Sequence, residues 1–153
     1  MGERQTFVLF GMKGEGKSTL ADKIASEYGK KALYYDSQDE VPNTAKYNSY
    51  TPNNPYSLDE FTKVAKWVRS SRLFRCFIID EANRFCPSKP AHLPKVISDL
   101  NDSVRHYGLE LGFIARRPTQ LNQDLTELAD IVYIYHLNGK NDIKWLNDWR
   151  KDI

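Results

Sequence analysis

Gly11-Met12-Lys13-Gly14-Glu15-Gly16-Lys17-Ser18 fits the pattern G-x-x-x-x-G-K-[ST]. The pattern arises by chance, so its flanks decide its meaning. Thr6-Phe7-Val8-Leu9-Phe10 before it is short, apolar and β-prone. After it, Leu20, Ile24 and Tyr28 recur every four residues, as a buried helix face requires. Strand, glycine loop and helix together are the context that turns the pattern into a phosphate cradle. Gly11, Gly14 and Gly16 let the backbone wrap a phosphate closely. The helix N-terminus adds partial positive charge. Lys17 is expected to reach the β- and γ-phosphates, and the Ser18 hydroxyl to bind Mg²⁺. Met12, Lys13, Glu15 and Thr19 complete the stretch expected to line a nucleotide.

The second informative stretch is Arg75-Cys76-Phe77-Ile78-Ile79-Asp80-Glu81. A continuous apolar run reads as a strand buried on both faces of a parallel sheet. Acids at its C-terminal tip would lie beside the glycine loop. Asp80 then suits a Mg²⁺-holding role, and Glu81 that of the general base for an attacking water. The structural alternative is a pair of turn acids.

Further strands are expected at Lys31–Asp36, Glu110–Ala115 and Asp130–His136, giving a five-stranded sheet. Asp36 falls at a strand end, either facing a ligand or serving as a turn acid. Residues 37–56 are polar, rich in Asn, Tyr and Pro, and read as a long surface loop; Tyr47 and Tyr50 could contact bases or a partner. Ser57-Leu58-Asp59-Glu60 is a capping box. It opens a helix whose apolar face is Leu58, Phe61, Val64, Ala65 and Val68, while Lys63, Lys66, Arg69, Arg72 and Arg75 are a solvated face or an anion-attracting one. A helix from about Pro94 is stopped by Gly108. Arg105 and His106 lie in its last turn, where a cation suits the helix dipole; Arg105 could instead be an arginine finger for a neighbouring subunit. Arg116 and Arg117, at a strand tip, could sense a γ-phosphate, contact DNA or pair with local acids. Residues 124–128 read as a short helix, Asn138-Gly139 as a turn, and 140–153 as a terminal helix packed by Ile143, Leu146 and a tryptophan.

Composition adds bounds. The chain has 153 residues, 41% of them apolar and 27% charged, which suits one globular domain over 1–153. Its net charge of +2 does not by itself announce a nucleic-acid binder. Cys76 and Cys86 make no disulfide framework, and His92, His106 and His136 show no metal-ligand spacing. With no long apolar run and a first strand close to Met1, the expectation is a cytoplasmic protein without signal peptide or membrane span.

Alternating strands and helices imply a parallel sheet covered on both faces, a three-layer α/β fold. With Lys17 and Asp80-Glu81, the chain looks like a P-loop NTPase of the RecA-like type, with an additional strand and a catalytic glutamate. The second half narrows the likeness. A strand ending Asp80-Glu81-Ala82, a helix ending Arg105-His106-Tyr107-Gly108, a strand, then Arg116-Arg117-Pro118, then Leu128-Ala129-Asp130 before a last strand resembles the FtsK–HerA superfamily. That group holds DNA translocases, packaging ATPases of membrane-containing viruses and zonula occludens toxin-like assembly proteins. The resemblance runs from residue 6 to about 137.

It implies ATP and Mg²⁺ as cofactors, and Lys17, Ser18, Asp80 and Glu81 in their expected roles. Arg105 matches a trans-acting arginine. The resemblance also implies a homo-oligomeric ring, hexameric or pentameric, with double-stranded DNA and viral capsid or assembly proteins as partners. Host cytoplasm or the virion would be its setting. Where the family often has Thr-Gln-Arg-Pro, this chain has Ala115-Arg116-Arg117-Pro118, so Arg116 replaces a sensor glutamine. The implied activity is DNA-stimulated ATP hydrolysis driving DNA movement, with a nucleotide-dependent assembly factor or a small P-loop kinase as alternatives.

Overall fold

The computed structural model describes residues 5–11, 17–135 and 139–151, without the side chains of Lys17, Ser18 and 149–151. Six strands form one sheet: β1 Thr6–Phe10, β2 Ala32–Tyr35, β3 Asn48–Tyr50, β4 Cys76–Ile79, β5 Glu110–Ala115 and β6 Ile131–Ile134. Their spatial order is β3-β2-β4-β5-β1-β6, and every pairing is parallel. Parallel strands need crossover connections, and α1 Lys17–Tyr28, α2 Leu58–Ser71, α3 Lys95–Tyr107 and α4 Gln123–Leu128 lie in them; β2 and β3 are joined without an α-helix, and α5 Lys140–Lys151 follows the last strand.

Alternation along the strands sorts two cores. Val8, Phe10, Leu33, Tyr35, Phe77, Ile79, Leu111 and Phe113 face α2, α3 and α4, and Trp145 of α5 packs on the same side, edge-on to Phe10 at 5.6 Å. Phe7, Leu9, Ala32, Tyr34, Cys76, Ile78 and Ile114 face α1 through Ala21, Ile24 and Ala25. Helices therefore cover both faces, as the burial of a parallel sheet demands.

The sheet has one strand more than the five expected. The addition, β3, lies inside the 37–56 stretch, which is not a structureless loop. Its register sets Leu33 opposite Asn48 and Tyr35 opposite Tyr50. Being three residues long and polar, it presents little edge for further pairing. Tyr47 is buried against Tyr34, and Tyr50 stacks on Tyr35 at 5.7 Å. Both rings are engaged inside the fold rather than offered to bases.

α2 starts as the capping residues require, with Ser57 Oγ accepting the amide of Glu60 at 3.1 Å. The box is only half formed. Glu60 turns away from the cap and accepts from the amides of Asn53 and Asn54 and from the Tyr50 hydroxyl. It thus fastens the β3–α2 connection. Leu58, expected on the apolar face, is exposed, as is Ile143 of α5; Trp145 does the packing there instead. α3 ends where Gly108 adopts φ 76°, a left-handed conformation that side-chain-bearing residues resist. The Asn138-Gly139 turn and His136 lie partly or wholly outside the described residues.

Candidate active site at the C-terminal edge of the sheet

In a parallel sheet all C-terminal tips share one edge, so residues distant in sequence meet there. β1 delivers Gly11 to this edge, and α1 begins at Lys17 directly after the glycine loop. A Cβ on Gly11 would lie 2.8 Å from the Tyr135 Cβ, closer than real contacts allow, so the position admits only glycine without displacing the end of β6. The body of the loop, Met12, Lys13, Gly14, Glu15 and Gly16, lies outside the described residues, together with the Lys17 and Ser18 side chains. Thr19, in the first turn of α1, is exposed.

β4 brings Asp80 and Glu81 to the same edge. Register pairs Ile79 with Phe113 and Leu9 with Ile114, so Asp80 arrives level with the last turn-ward residues of β1. One strand, β5, stands between β4 and β1. Two strand spacings, about 10 Å, therefore separate the acids from the glycine-loop strand. The lysine-bearing helix start and both carboxylates belong to one edge, not to opposite ones.

The acidic tip is built tightly. Asp80 and Glu81 are both buried, at 8% and 6% exposure. Asp80 Oδ1 accepts the Glu81 amide at 2.9 Å, and the Ser37 hydroxyl donates to the Asp80 carbonyl at 3.1 Å. Glu81 holds φ 51° and ψ 44°, a left-handed backbone in a non-glycine residue, the kind of strain that collects at functional sites. Behind it, Phe85 stacks on Phe61 at 4.4 Å and meets Tyr35 edge-on, so the turn after Glu81 is anchored in the core. Each such buried ring stabilises by roughly 1.5–3 kcal/mol. That packing is what holds the strained turn.

Among the described residues, two side chains reach the Glu81 carboxylate. Gln38 Nε2 donates to Glu81 Oε1, and Arg116 Nε lies 3.4 Å from the same oxygen. Arg116 extends from the tip of β5, its side chain 44% exposed against 8% for the Glu81 side chain. Sequence reasoning missed Gln38: it is one polar residue in a polar stretch, with no motif around it. Its place is fixed by Asp36, whose carboxylate accepts the amides of Glu40 and Val41 at 2.9 and 3.0 Å. Asp36 is thus a buried turn-forming acid, 1% exposed, and it also lines a cavity of about 360 Å³ with Thr19 and Asp22.

Arg105 stands elsewhere. It is exposed in the last turn of α3, which runs into the start of β5 and so lies at the opposite edge of the sheet. It borders a small cavity of about 160 Å³ with Asn101, Leu128 and Asp130. It cannot serve the glycine loop of its own chain. Arg117, next to Arg116, turns to the C-terminal helix: its Nε is 2.6 Å from Asp142 Oδ2. Among the described residues no group of three or more His, Cys, Asp or Glu could hold a metal alone, and no helix is long and apolar enough to cross a membrane. Cys76 and Cys86 are buried free thiols, and burial pushes the Cys86 thiol up to about 12.

A glycine loop between strand and helix, and two acids one strand removed on the same edge, define the fold of a P-loop NTPase. No family model and no curated protein matches the sequence. Solved structures do match. The genome packaging NTPase B204 from Sulfolobus turreted icosahedral virus 2, in complex with sulfate, superimposes with a TM-score of 0.76 at 20% identity, covering 97% of this chain and 82% of that one. The same NTPase with AMPPCP gives 0.74 at 19% identity over 97% and 83%. The N-terminal domain of zonular occludens toxin from Neisseria meningitidis gives 0.62 at 17% identity over 89% and 78%. At such identities the likeness is one of fold, and it extends over nearly the whole chain.

Proposed function

We propose that this chain is a Mg²⁺-dependent ATPase that converts hydrolysis into movement of DNA, in the setting of viral genome packaging. The observation that carries this reading is the placement of Asp80 and Glu81 on the edge where the glycine loop ends, with β5 between them and β1. The fold it shares with a genome packaging NTPase supports the same reading.

The donor chemistry fits the ion. Mg²⁺ is usually held by one or two carboxylates with phosphates and waters, and of the buried carboxylates at this edge Asp80 is the one proposed for the ion, with the Ser18 hydroxyl as its expected companion. When bound, Mg²⁺ neutralises charge on the phosphates. The protein's own part is positional. The loop from Gly11 to Thr19 cradles the phosphates, and Lys17 meets the β- and γ-oxygens. Glu81 accepts the proton of the attacking water, and Arg116 faces the transferred group. Phosphoryl transfer needs positioning and charge more than covalent help. Arg105, exposed on the far edge, completes the site of a neighbouring copy in a homo-oligomeric ring. Double-stranded DNA, and capsid or assembly proteins, are the proposed macromolecular partners.

The test is ATPase rate against protein concentration, with and without double-stranded DNA. Specific activity should rise with concentration and with DNA. Glu81→Gln should lower kcat by about 100-fold or more, the scale of a lost general base. Mixing Lys17→Ala with Arg105→Ala protein should restore part of the activity that each lacks. Unchanged turnover in Glu81→Gln would sink the reading. In that case the likeness to the zonular occludens toxin domain favours a second one, a nucleotide-binding assembly factor that switches conformation without a motor cycle.

A further inference from the structure

We infer that the groove between the C-terminal ends of α2 and α3 is a second phosphate-binding site, on the edge of the sheet opposite the glycine loop, and that the phosphates it takes belong to the backbone of double-stranded DNA. The site follows from its residues; the choice of DNA over a free phosphate rests on the proposed function.

α2 ends before β4 begins and α3 ends before β5 begins, so both helix ends lie at the N-terminal edge of the strands. Between them is a groove of about 500 Å³, lined by Lys66, Arg69 and Arg72 on one side and by His106 and Tyr107 on the other. Lys66, Arg69 and Arg72 are spaced by three, so each stands about one helical turn from the next. All three are exposed. Arg72 caps α2 with a left-handed backbone, φ 53°, and its guanidinium lies 5.2 Å from the centre of the Tyr107 ring. The aromatic face holds that charge beside the groove without neutralising it. Asp99 is the acid on the lining, yet among the described residues none of the three cations forms an ion pair.

The cations that follow the strand tips at the other edge behave differently. Arg84 lies over the Tyr56 ring and reaches the Pro55 carbonyl, Lys89 meets Asp124 at 2.9 Å, Arg116 meets Glu81 and Arg117 meets Asp142. Like charges one turn apart repel, so an unpaired row costs stability rather than adding to it. The helix dipole accounts for part of the row. It acts within the last turn, where Arg69 lies, and Lys66 stands a turn earlier. An anion in the groove removes the repulsion. Guanidinium groups match the oxygens of a phosphate, and Lys66 adds a point charge. A backbone that carries phosphates at regular intervals suits a row of cations along one helix. Arg105, on the same end of α3, borders a different cavity with Asn101, Leu128 and Asp130, so this groove is separate from the proposed trans-acting arginine.

The test is binding of a fluorescently labelled, random-sequence duplex to the full chain, followed by anisotropy across a salt series. Lys66→Gln/Arg69→Gln removes two exposed charges from the row. It should weaken binding at near-physiological salt by about tenfold and lower the slope of log K against log salt by about 1–2, since each lost phosphate contact takes about 0.9 from it. Its Tm should match or exceed the parent's, as repulsion is relieved; a clear fall would make the row structural and overturn the site. Lys89→Gln removes a cation already paired with Asp124 and should bind within about twofold of the parent. ATP hydrolysis without DNA should stay within about twofold in the double variant, because distant sites act independently, while the DNA needed for half-maximal stimulation rises with the lost affinity. Parental affinity and slope in the double variant would overturn the groove and leave the DNA reading standing, and an equal loss in Lys89→Gln would overturn it by reducing the effect to net charge. A parent that binds no duplex even at low salt removes the DNA reading and the choice of DNA together. Inorganic phosphate is the second probe: if it raises the Tm of the parent but not of the double variant, while duplex binding is equal in both, the groove takes a free phosphate and DNA is overturned as the source.

Discussion

Arg116 and Arg117 are neighbours at one strand tip, yet they make opposite kinds of contact. Arg117 meets Asp142 at 2.6 Å, and that carboxylate is 2% exposed. Asp142 also accepts the Thr119 hydroxyl at 2.9 Å and the Thr119 amide at 3.4 Å. Arg116 meets Glu81 at 3.4 Å and is itself 44% exposed. The first is a short, multiply bonded contact that docks α5 onto the tip of β5. The second is long and shared with Gln38. Three donors meet the Asp142 carboxylate that holds the helix, whereas Gln38 and Arg116 both meet one oxygen of Glu81. The contrast also shows how close the two tasks lie. One peptide bond separates the arginine at the Glu81 carboxylate from the arginine that anchors the terminal helix.

The sharpest way to break this contrast is to remove each acid–arginine contact and measure stability. Asp142→Ala deletes three hydrogen bonds to one buried carboxylate and should cost about 2 kcal/mol, the scale for bonds to a charged group, discounted because Arg117 stays partly in water. For a chain of this size that is a fall in Tm of about 4–8 °C. Arg116→Ala should shift stability by less than about 0.5 kcal/mol, since an exposed arginine at 3.4 Å adds little to folding. Thermal denaturation followed by circular dichroism reads both. Equal losses in the two variants would mean that the Arg116 contact is a structural pair after all, and the division between holding and working would disappear.

The same division decides what could be read in the sequence. The places of Gly11 and of Asp80-Glu81 at strand tips were legible because an apolar run announces each strand; the rest of the glycine loop lies outside the described residues. The doubly covered sheet followed from the alternation of β-prone runs with helical periodicity. Gln38 was not legible, because it meets Glu81 only when β2 and β4 lie side by side, and a lone glutamine in a polar stretch carries no pattern. Asp142 was hidden for a related reason. It sits in a helix that looks solvated, and its partner Arg117 is 25 residues away. β3 was missed because Asn48-Ser49-Tyr50 has little strand propensity of its own; pairing with Leu33–Tyr35 imposes the conformation. The capping box was half right. Ser57 caps as its side chain dictates, but Glu60 had better donors within reach than its own helix end.

Glu60 gives the finest test of the comparison, because it combines features of both contacts. Like Asp142 it is multiply bonded, with the Tyr50 hydroxyl at 2.7 Å and the amides of Asn53 and Asn54 at 2.8 and 2.9 Å. Like Arg116 it lies near solvent. The Asn54 amide, then the Tyr50 hydroxyl and the Asn53 amide, hold its carboxyl below the ordinary value of 4.5. A carboxylate whose pKa is lower in the folded chain stabilises it above the unfolded value, and that contribution is lost as pH falls through the folded value. Glu60→Gln should therefore lower Tm slightly at neutral pH, and the gap from the parent protein should close as pH is taken below about 4.5. Denaturation scans of both proteins across pH 3–7, the range given by about one unit or more on either side of a carboxylate's titration, would show it. A gap that stays constant through acid would mean that the charge on Glu60 is irrelevant and that a neutral acceptor fastens the β3–α2 connection equally well. A gap that closes would place Glu60 with Asp142 as a carboxylate that holds, and would show that bond number, more than burial, sets the holding contacts apart from the one at Glu81.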